Sequence, residues 1–156
     1  MKFIIKEWKK YLSEYSLIKG QEESGEIVSV VLINKRNEVL LLKRSPKSKN
    51  NPGLWGLPGG HIKAGETPQE ALIREVIEET SVIMSGFDFA IHDHEKNTHY
   101  FISDKFSGNV VLNYEHADYA WVEPVRIDSE HTIEHLKKRI IQSIEIYRNN
   151  IRANNE

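Results

Sequence analysis

The stretch Gly59-Gly60-His61-Ile62-Lys63-Ala64-Gly65-Glu66-Thr67-Pro68-Gln69-Glu70-Ala71-Leu72-Ile73-Arg74-Glu75-Val76-Ile77-Glu78-Glu79-Thr80-Ser81-Val82 holds a complete helix with its own start signal and a one-sided acidic face. Thr67 is a capping residue, Pro68 suits the first helical position, and Glu70 completes a T-x-x-E capping box. Glu70 therefore has a sufficient structural role. At about 100° per residue, Leu72, Ile73, Val76 and Ile77 share a broad apolar arc that should pack on a sheet. Glu75, Glu78 and Glu79 fall together on the neighbouring arc, since i, i+3 and i+4 positions are adjacent. Ala71 lies on that same arc one turn earlier and is expected to leave room for a ligand.

An acidic face of this density is costly unless a cation joins it. Two carboxylates ~4 Å apart repel by about 4 kcal/mol at an effective dielectric near 20. The chain has no cysteine, which excludes disulfides, thiolate metal sites and a Cys nucleophile. Oxygen ligands alone favour a hard ion, Mg²⁺ or Mn²⁺, and such ions also hold substrate phosphates.

Outward from the helix, Ser45–Leu54 is a polar loop containing Pro46, Pro52 and Gly53, and Trp55–Ile62 holds a Pro58-Gly59-Gly60 turn. Ile27–Ile33 and Glu38–Leu42 read as strands joined by a turn at Asn34-Lys35-Arg36-Asn37. Further strands are expected near Ile83–Ile91, His99–Phe106 and Tyr119–Val122, with a weaker one at Val110–Leu112. Ile133, Leu136, Ile140, Ile144 and Tyr147 recur at helical spacing, so a second amphipathic helix is expected over Ser129–Tyr147, followed by a frayed tail at Arg148–Glu156. Ile4, Ile5, Trp8, Tyr11 and Leu12 suggest a short helix over residues 4–14. Hairpins with two main helices point to the α/β or α+β class, a sheet covered by helices.

The 156 residues, 39% hydrophobic and 28% charged, fit one domain spanning 1–156. No apolar run approaches ~18 residues and the N-terminus has no signal-peptide core, so a cytoplasmic protein without a membrane span is expected. A net charge of −2 argues against broad nucleic-acid binding.

The pattern Gly60-x5-Glu66-x7-Arg74-Glu75-Val76-x-Glu78-Glu79-x-Ser81-Val82 resembles the Nudix box, G-x5-E-x7-R-E-U-x-E-E-x-G-U with U apolar. It departs only at Ser81, where the family has glycine. The flanking Pro52–Gly60 segment and Trp121-Val122 are also similar. The resemblance implies a mixed sheet sandwiched between helices and metal-dependent hydrolysis of a phosphoanhydride in a nucleoside diphosphate linked to another group. ADP-ribose, a nucleotide sugar or a dinucleoside polyphosphate would serve as such a substrate. Nucleoside triphosphates and RNA 5′ ends remain alternatives, and a non-catalytic nucleotide-binding module is a remote one, since all box glutamates are present. An isoprenoid diphosphate isomerase would need a cysteine.

Residue by residue, the resemblance makes Glu75, Glu78 and Glu79 metal ligands, with the carbonyl of Gly59 as a backbone ligand. Arg74 should orient Glu75, and Glu66 should support the loop. Glu115 resembles a further glutamate that binds metal or acts as general base, against the plain reading of a loop carboxylate; Asp118 and Glu123 are the next choices. Arg44 could meet a phosphate, with Lys43 in its place if the strand register slips by one, and the plain reading is a surface arginine. Gly60 and Trp55 are candidates for contact with the nucleotide, as is Trp121, although packing is the commoner use of tryptophan. His61 reads as a loop packer. His92 and His94 can share a strand face near His99, but no further ligands stand at zinc-like spacing, so no second metal is expected there. The partners expected are a small nucleotide-like substrate and a possible second copy in a homodimer.

Overall fold

The computed structural model describes Lys9, Lys10 and residues 23–156; apart from Lys9 and Lys10, the helix expected over residues 4–14 lies outside them. Over residues 23–156, seven strands and two α-helices follow in the order β1 (Glu23–Leu32), β2 (Val39–Arg44), β3 (Trp55–Gly56), β4 (Gly59–Lys63), α1 (Pro68–Thr80), β5 (Ile83–Asp93), β6 (Thr98–Ser107), β7 (His116–Val122) and α2 (Leu136–Asn154), with a short 3-10 turn at Pro124–Arg126 before α2. They build two sheets, a four-stranded one ordered β4-β1-β6-β5 and a three-stranded one ordered β3-β2-β7. The β1–β6 pair is parallel and the other pairs are antiparallel. Ile33 bridges Val39 where β1 turns into β2, which joins the two sheets. No helix among the described residues is long and apolar enough to cross a membrane.

Strand alternation sends apolar side chains to both faces, as expected for strands covered on each side. Val28, Val30 and Leu32 of β1, Leu40 and Leu42 of β2 and Phe101 of β6 pack with Ala71, Leu72 and Val76 of α1. Val31, Val39, Leu41, Tyr100 and Ile102 face the other way and pack with Leu136, Ile140 and Ile144 of α2. The expected sandwich is present, with its strands divided between two sheets. Ala71 is fully buried in the first core, so it belongs to the apolar arc and leaves no ligand space, contrary to its wheel position.

Three expectations need correction. α2 starts at Leu136, seven residues late, because the chain before it runs extended against β3: Trp55 N–H donates to the His131 carbonyl at 2.9 Å and Ile133 N–H to the Trp55 carbonyl at 2.9 Å. Ile133 keeps its core role without being helical, lying where a Cβ on Gly56 would stand, 2.9 Å from Ile133 Cδ1. The tail is helical through Asn154. Val110–Leu112 is no strand; Val111 N–H donates to the Thr80 carbonyl at 2.8 Å and Asn113 N–H to the Glu79 carbonyl at 3.4 Å, so this segment straps the C-terminal end of α1.

α1 begins as its sequence dictates, with both halves of the Thr67–Glu70 capping box formed. It ends on Ser81 at φ 61°, the left-handed conformation that favours glycine. The serine side chain is engaged there: Lys9 Nζ donates to Ser81 Oγ at 2.9 Å, and Oγ lies 3.4 Å from the Val111 carbonyl. Ser81→Ala keeps the backbone strain and loses these bonds, whereas Ser81→Gly loses the bonds and relieves the strain. Urea denaturation should therefore find the Ala variant about 1 kcal/mol less stable than the Gly variant. Equal stability of the two would mean that the cap is not held left-handed.

Candidate active site

The Gly59-Gly60 pair opens β4 and lies directly against α1. Gly59 is opposite Ser29, and a Cβ there would stand 2.0 Å from the Val28 carbonyl oxygen, so only glycine fits. At Gly60 a Cβ would come within 2.5–2.8 Å of the Glu75 carboxyl group. The missing side chain is thus the space that the carboxylate occupies. Gly59 N–H donates to Glu79 Oε2 at 3.0 Å, which fixes the second box glutamate against the same turn.

Arg74 organises the opposite side. It is only 1% exposed, and its guanidinium grips Glu66 with two bonds, Nε to Oε1 at 2.6 Å and Nη2 to Oε2 at 2.9 Å. Nη2 also donates to the His61 carbonyl at 3.1 Å, and Nη1 reaches Glu75 Oε1 at 2.7 Å and Glu78 Oε2 at 3.4 Å. Although it lies on a helix beside exposed positions, Arg74 is not a surface arginine. Glu66 supports the loop as expected, since Oε2 also accepts the Lys63 N–H at 2.9 Å. Burial works against its charge, but Arg74 and the Lys63 N–H outweigh it and hold the carboxyl below its ordinary range.

The charges of the acidic face are poorly compensated. Burial pushes the Glu75 carboxyl up to about 7; Arg74 opposes the shift, while Glu78 and Glu115 add to it. Burial also raises Glu79, with Glu75 and Glu115 contributing and the Gly59 N–H and Arg44 opposing. Glu78 is more open, at 36% exposure. Glu115 thus belongs to the electrostatic surroundings of both box carboxylates although it lies in a distant part of the sequence. The strap at Val111–Asn113 brings it there, and its carbonyl accepts the Ser45 N–H at 2.9 Å.

A raised carboxyl pKa in the folded state means that the folded protein binds more protons than the unfolded one between about 4.5 and 7, so stability falls as pH rises through that window. Without divalent ions, Glu75→Gln should gain on the parent protein by about 1–3 kcal/mol at pH 8, and the difference should shrink toward zero near pH 5. Thermal melts in EDTA at the two pH values check this; a pH-independent difference would place Glu75 in contact with water.

Arg44 stands in register with His116, and its Nε and Nη2 lie 3.3 and 3.1 Å from Ser48 Oγ. Alternation along β2 puts Arg44 on the α1 side with Leu40 and Leu42, and puts Lys43 on the other. Lys43 pairs with Trp55 and sets its ammonium 5.9 Å from the centre of the indole ring. Trp55 packs against the α2 core, so the fold does not bring Arg44 and Trp55 to one face. Trp121 packs instead of standing free, its ring stacked on Phe106 at 5.8 Å. Asp118 and Glu123 are exposed. His61 lies in β4, not in a loop, 3.6 Å from Glu23. His116, which the sequence reading passed over, is buried, and burial together with Arg44 lowers its pKa to about 4.

Comparison with known proteins identifies the family to which this fold belongs. The family model described as the NUDIX domain matches residues 7–144. The chain belongs to the Nudix family. The Nudix relatives include an ADP-ribose pyrophosphatase of Methanocaldococcus jannaschii, 50% identical over 54 residues, which are 33% of this chain and 30% of that protein. A putative 8-oxo-dGTP diphosphatase of Bacillus subtilis is 32% identical over 103 residues, 63% of this chain and 66% of the relative. The chain thus spans under a third of the first relative and about two thirds of the second. Among solved structures, the MutT protein of Methanosarcina mazei superposes with a TM-score of 0.62 at 32% identity, over 80% of this chain and 93% of that one.

Proposed function

We propose that this Nudix protein, read as one unit over residues 1–156, hydrolyses a phosphoanhydride bond in a nucleoside diphosphate linked to another group, such as ADP-ribose, a nucleotide sugar or a dinucleoside polyphosphate. The observation that carries the reading is the pair of carboxyls, part-buried Glu75 and buried Glu79, held against a glycine turn, with burial opposing the ionisation of both and Glu75 adding to the opposition at Glu79. Such a pair ionises readily only beside a cation. The donor set is all oxygen, and Arg74 engages Glu75 Oε1, which leaves Oε2 for a ligand.

Glu75, Glu78 and Glu79, with the Gly59 carbonyl and Glu115, would hold Mg²⁺ or Mn²⁺. A hard ion there supplies Lewis acidity toward phosphate oxygens and acidifies water. Arg74 fixes the direction of the Glu75 carboxyl, and Glu75 or Glu115 takes the proton of the attacking water. Arg44, turning from Ser48, meets phosphate charge. A second reading, pyrophosphohydrolysis of a nucleoside triphosphate, is supported by the Bacillus relative, whose match covers more of this chain than the ADP-ribose pyrophosphatase does.

A substrate panel with Mg²⁺, scored by nucleotide and phosphate products, separates the two: nucleoside monophosphate plus a second phosphorylated moiety for the first, nucleoside monophosphate plus pyrophosphate for the second. Excess EDTA should abolish turnover, and activity should rise at mildly alkaline pH. Full turnover of the preferred substrate in EDTA would remove the metal from the reaction.

A further inference from the structure

A second group of chemistry-bearing side chains lies on the α1 side of the four-stranded sheet. His92 of β5 is the register partner of His99 of β6, and their rings stack at 4.1 Å with 8° between planes. His94, at the turn, brings its ring to 4.2 Å from His92. From β1, Glu26 Oε1 stands 3.3 Å from His99 Nε2. Buried His92 Nε2 has no hydrogen-bond partner among the described residues. His99 pairs with Val28, and Val28 pairs on its other side with Gly60. The histidines therefore stand two or more strands from the glycine turn, roughly 10 Å or more at ~4.8 Å per strand, outside the acidic site.

We propose that His92, His94 and His99 bind a borderline transition ion, Zn²⁺ above all, independently of the hard ion of the acidic face. His92 and its direct cross-strand partner His99 share one face of the sheet, and His94, in the turn just after β5, lays its ring against His92. Neutral imidazoles select Zn²⁺, Ni²⁺ or Cu²⁺ over Mg²⁺. Glu26 occupies His99 Nε2, which leaves Nδ1 for the ion, the arrangement in which a carboxylate orients a ligating imidazole. The stacked rings have parallel lone pairs, so binding requires at least one ring to rotate about its side-chain torsions; His92 Nε2 gives up no hydrogen bond in doing so. Three imidazoles leave a fourth position open. A different trio, Asp128, Glu130 and His131, has ligand atoms within 4.8 Å of one another. It is fully exposed, and His131 Nδ1 is already bonded to Asp128, so it serves as the control.

The test is calorimetric titration of Zn²⁺ into the full chain in excess Mg²⁺, which keeps the acidic face occupied. One Zn²⁺ site is expected, weakened at least tenfold by His92→Ala and by His99→Ala, and unchanged in the Glu75→Gln/Glu79→Gln double variant and in His131→Ala. Because a ring deletion could loosen the sheet, the unsubstituted protein is also followed by long-range ¹H–¹⁵N spectra of its histidines, where Zn²⁺ should move the ring nitrogens of residues 92, 94 and 99. No Zn²⁺ binding, binding that survives loss of His92 and His99, or ring shifts confined to His131 would each overturn the site. None of these outcomes bears on hydrolysis at the acidic face.

Discussion

Glu75→Gln and Glu79→Gln should each lower turnover by at least ~10²-fold, the range for a lost base or metal ligand, while Glu70→Gln costs little. The three glutamates share one helix but not one environment. Glu75 occupies the space left by Gly60, Glu79 is 3% exposed with its Oε2 on the Gly59 N–H, and Glu70 is exposed with its carboxylate on the Thr67 N–H. An amide oxygen can still accept that capping bond. At the other two positions, glutamine removes the charge that a cation and a water need. Steady-state rates at saturating substrate and Mg²⁺ decide the matter. Similar, mild losses in all three variants would refute the division of the helix into a capping carboxylate and a reactive pair.

The second large effect is on stability. Arg74→Met should destabilise the fold by about 3–5 kcal/mol, the cost of breaking a buried ion pair by removing one partner. Glu66, with a side chain only 2% exposed, would keep its charge with neither of its two guanidinium bonds. Replacing both members, Arg74→Met with Glu66→Leu, should recover part of the loss, because the Glu66 carboxylate is no longer left without its partner. Urea denaturation of the two single variants and the double variant gives the coupling. A double variant as unstable as the sum of the singles would mean that the two side chains act separately.

The regions that could be read directly are those whose information is local. The capping box at Thr67 and Glu70, the run of α1 from Pro68 to Thr80, and the acidic arc of Glu75, Glu78 and Glu79 all follow from neighbours within one or two turns. Helical periodicity and hydrogen bonds to adjacent residues are short-range. The alternating strands β1, β2 and β6 were legible for the same reason. The Nudix resemblance rested on this same local spacing.

Placement across the chain was not legible, since it depends on which distant surfaces exclude water from each other. The wheel put Ala71 with the glutamates, and only packing against β1 made it core. Helical spacing from Ile133 onward suggested an early start to α2, yet pairing of His131 and Ile133 with Trp55 captured that backbone and delayed the helix to Leu136. Arg74 shows the division most clearly. Its position in the sequence marks it as the partner of Glu75, but its two bonds to Glu66 and its near-complete burial arise only when the loop before α1 folds over the helix. In the same way, Glu26 and His99 are far apart along the chain and meet because β1 and β6 run parallel. The sequence by itself determined which side chains share a local face. The tertiary structure decided which of them are desolvated, and desolvation is what turns a row of glutamates into a pair whose charge is costly to hold.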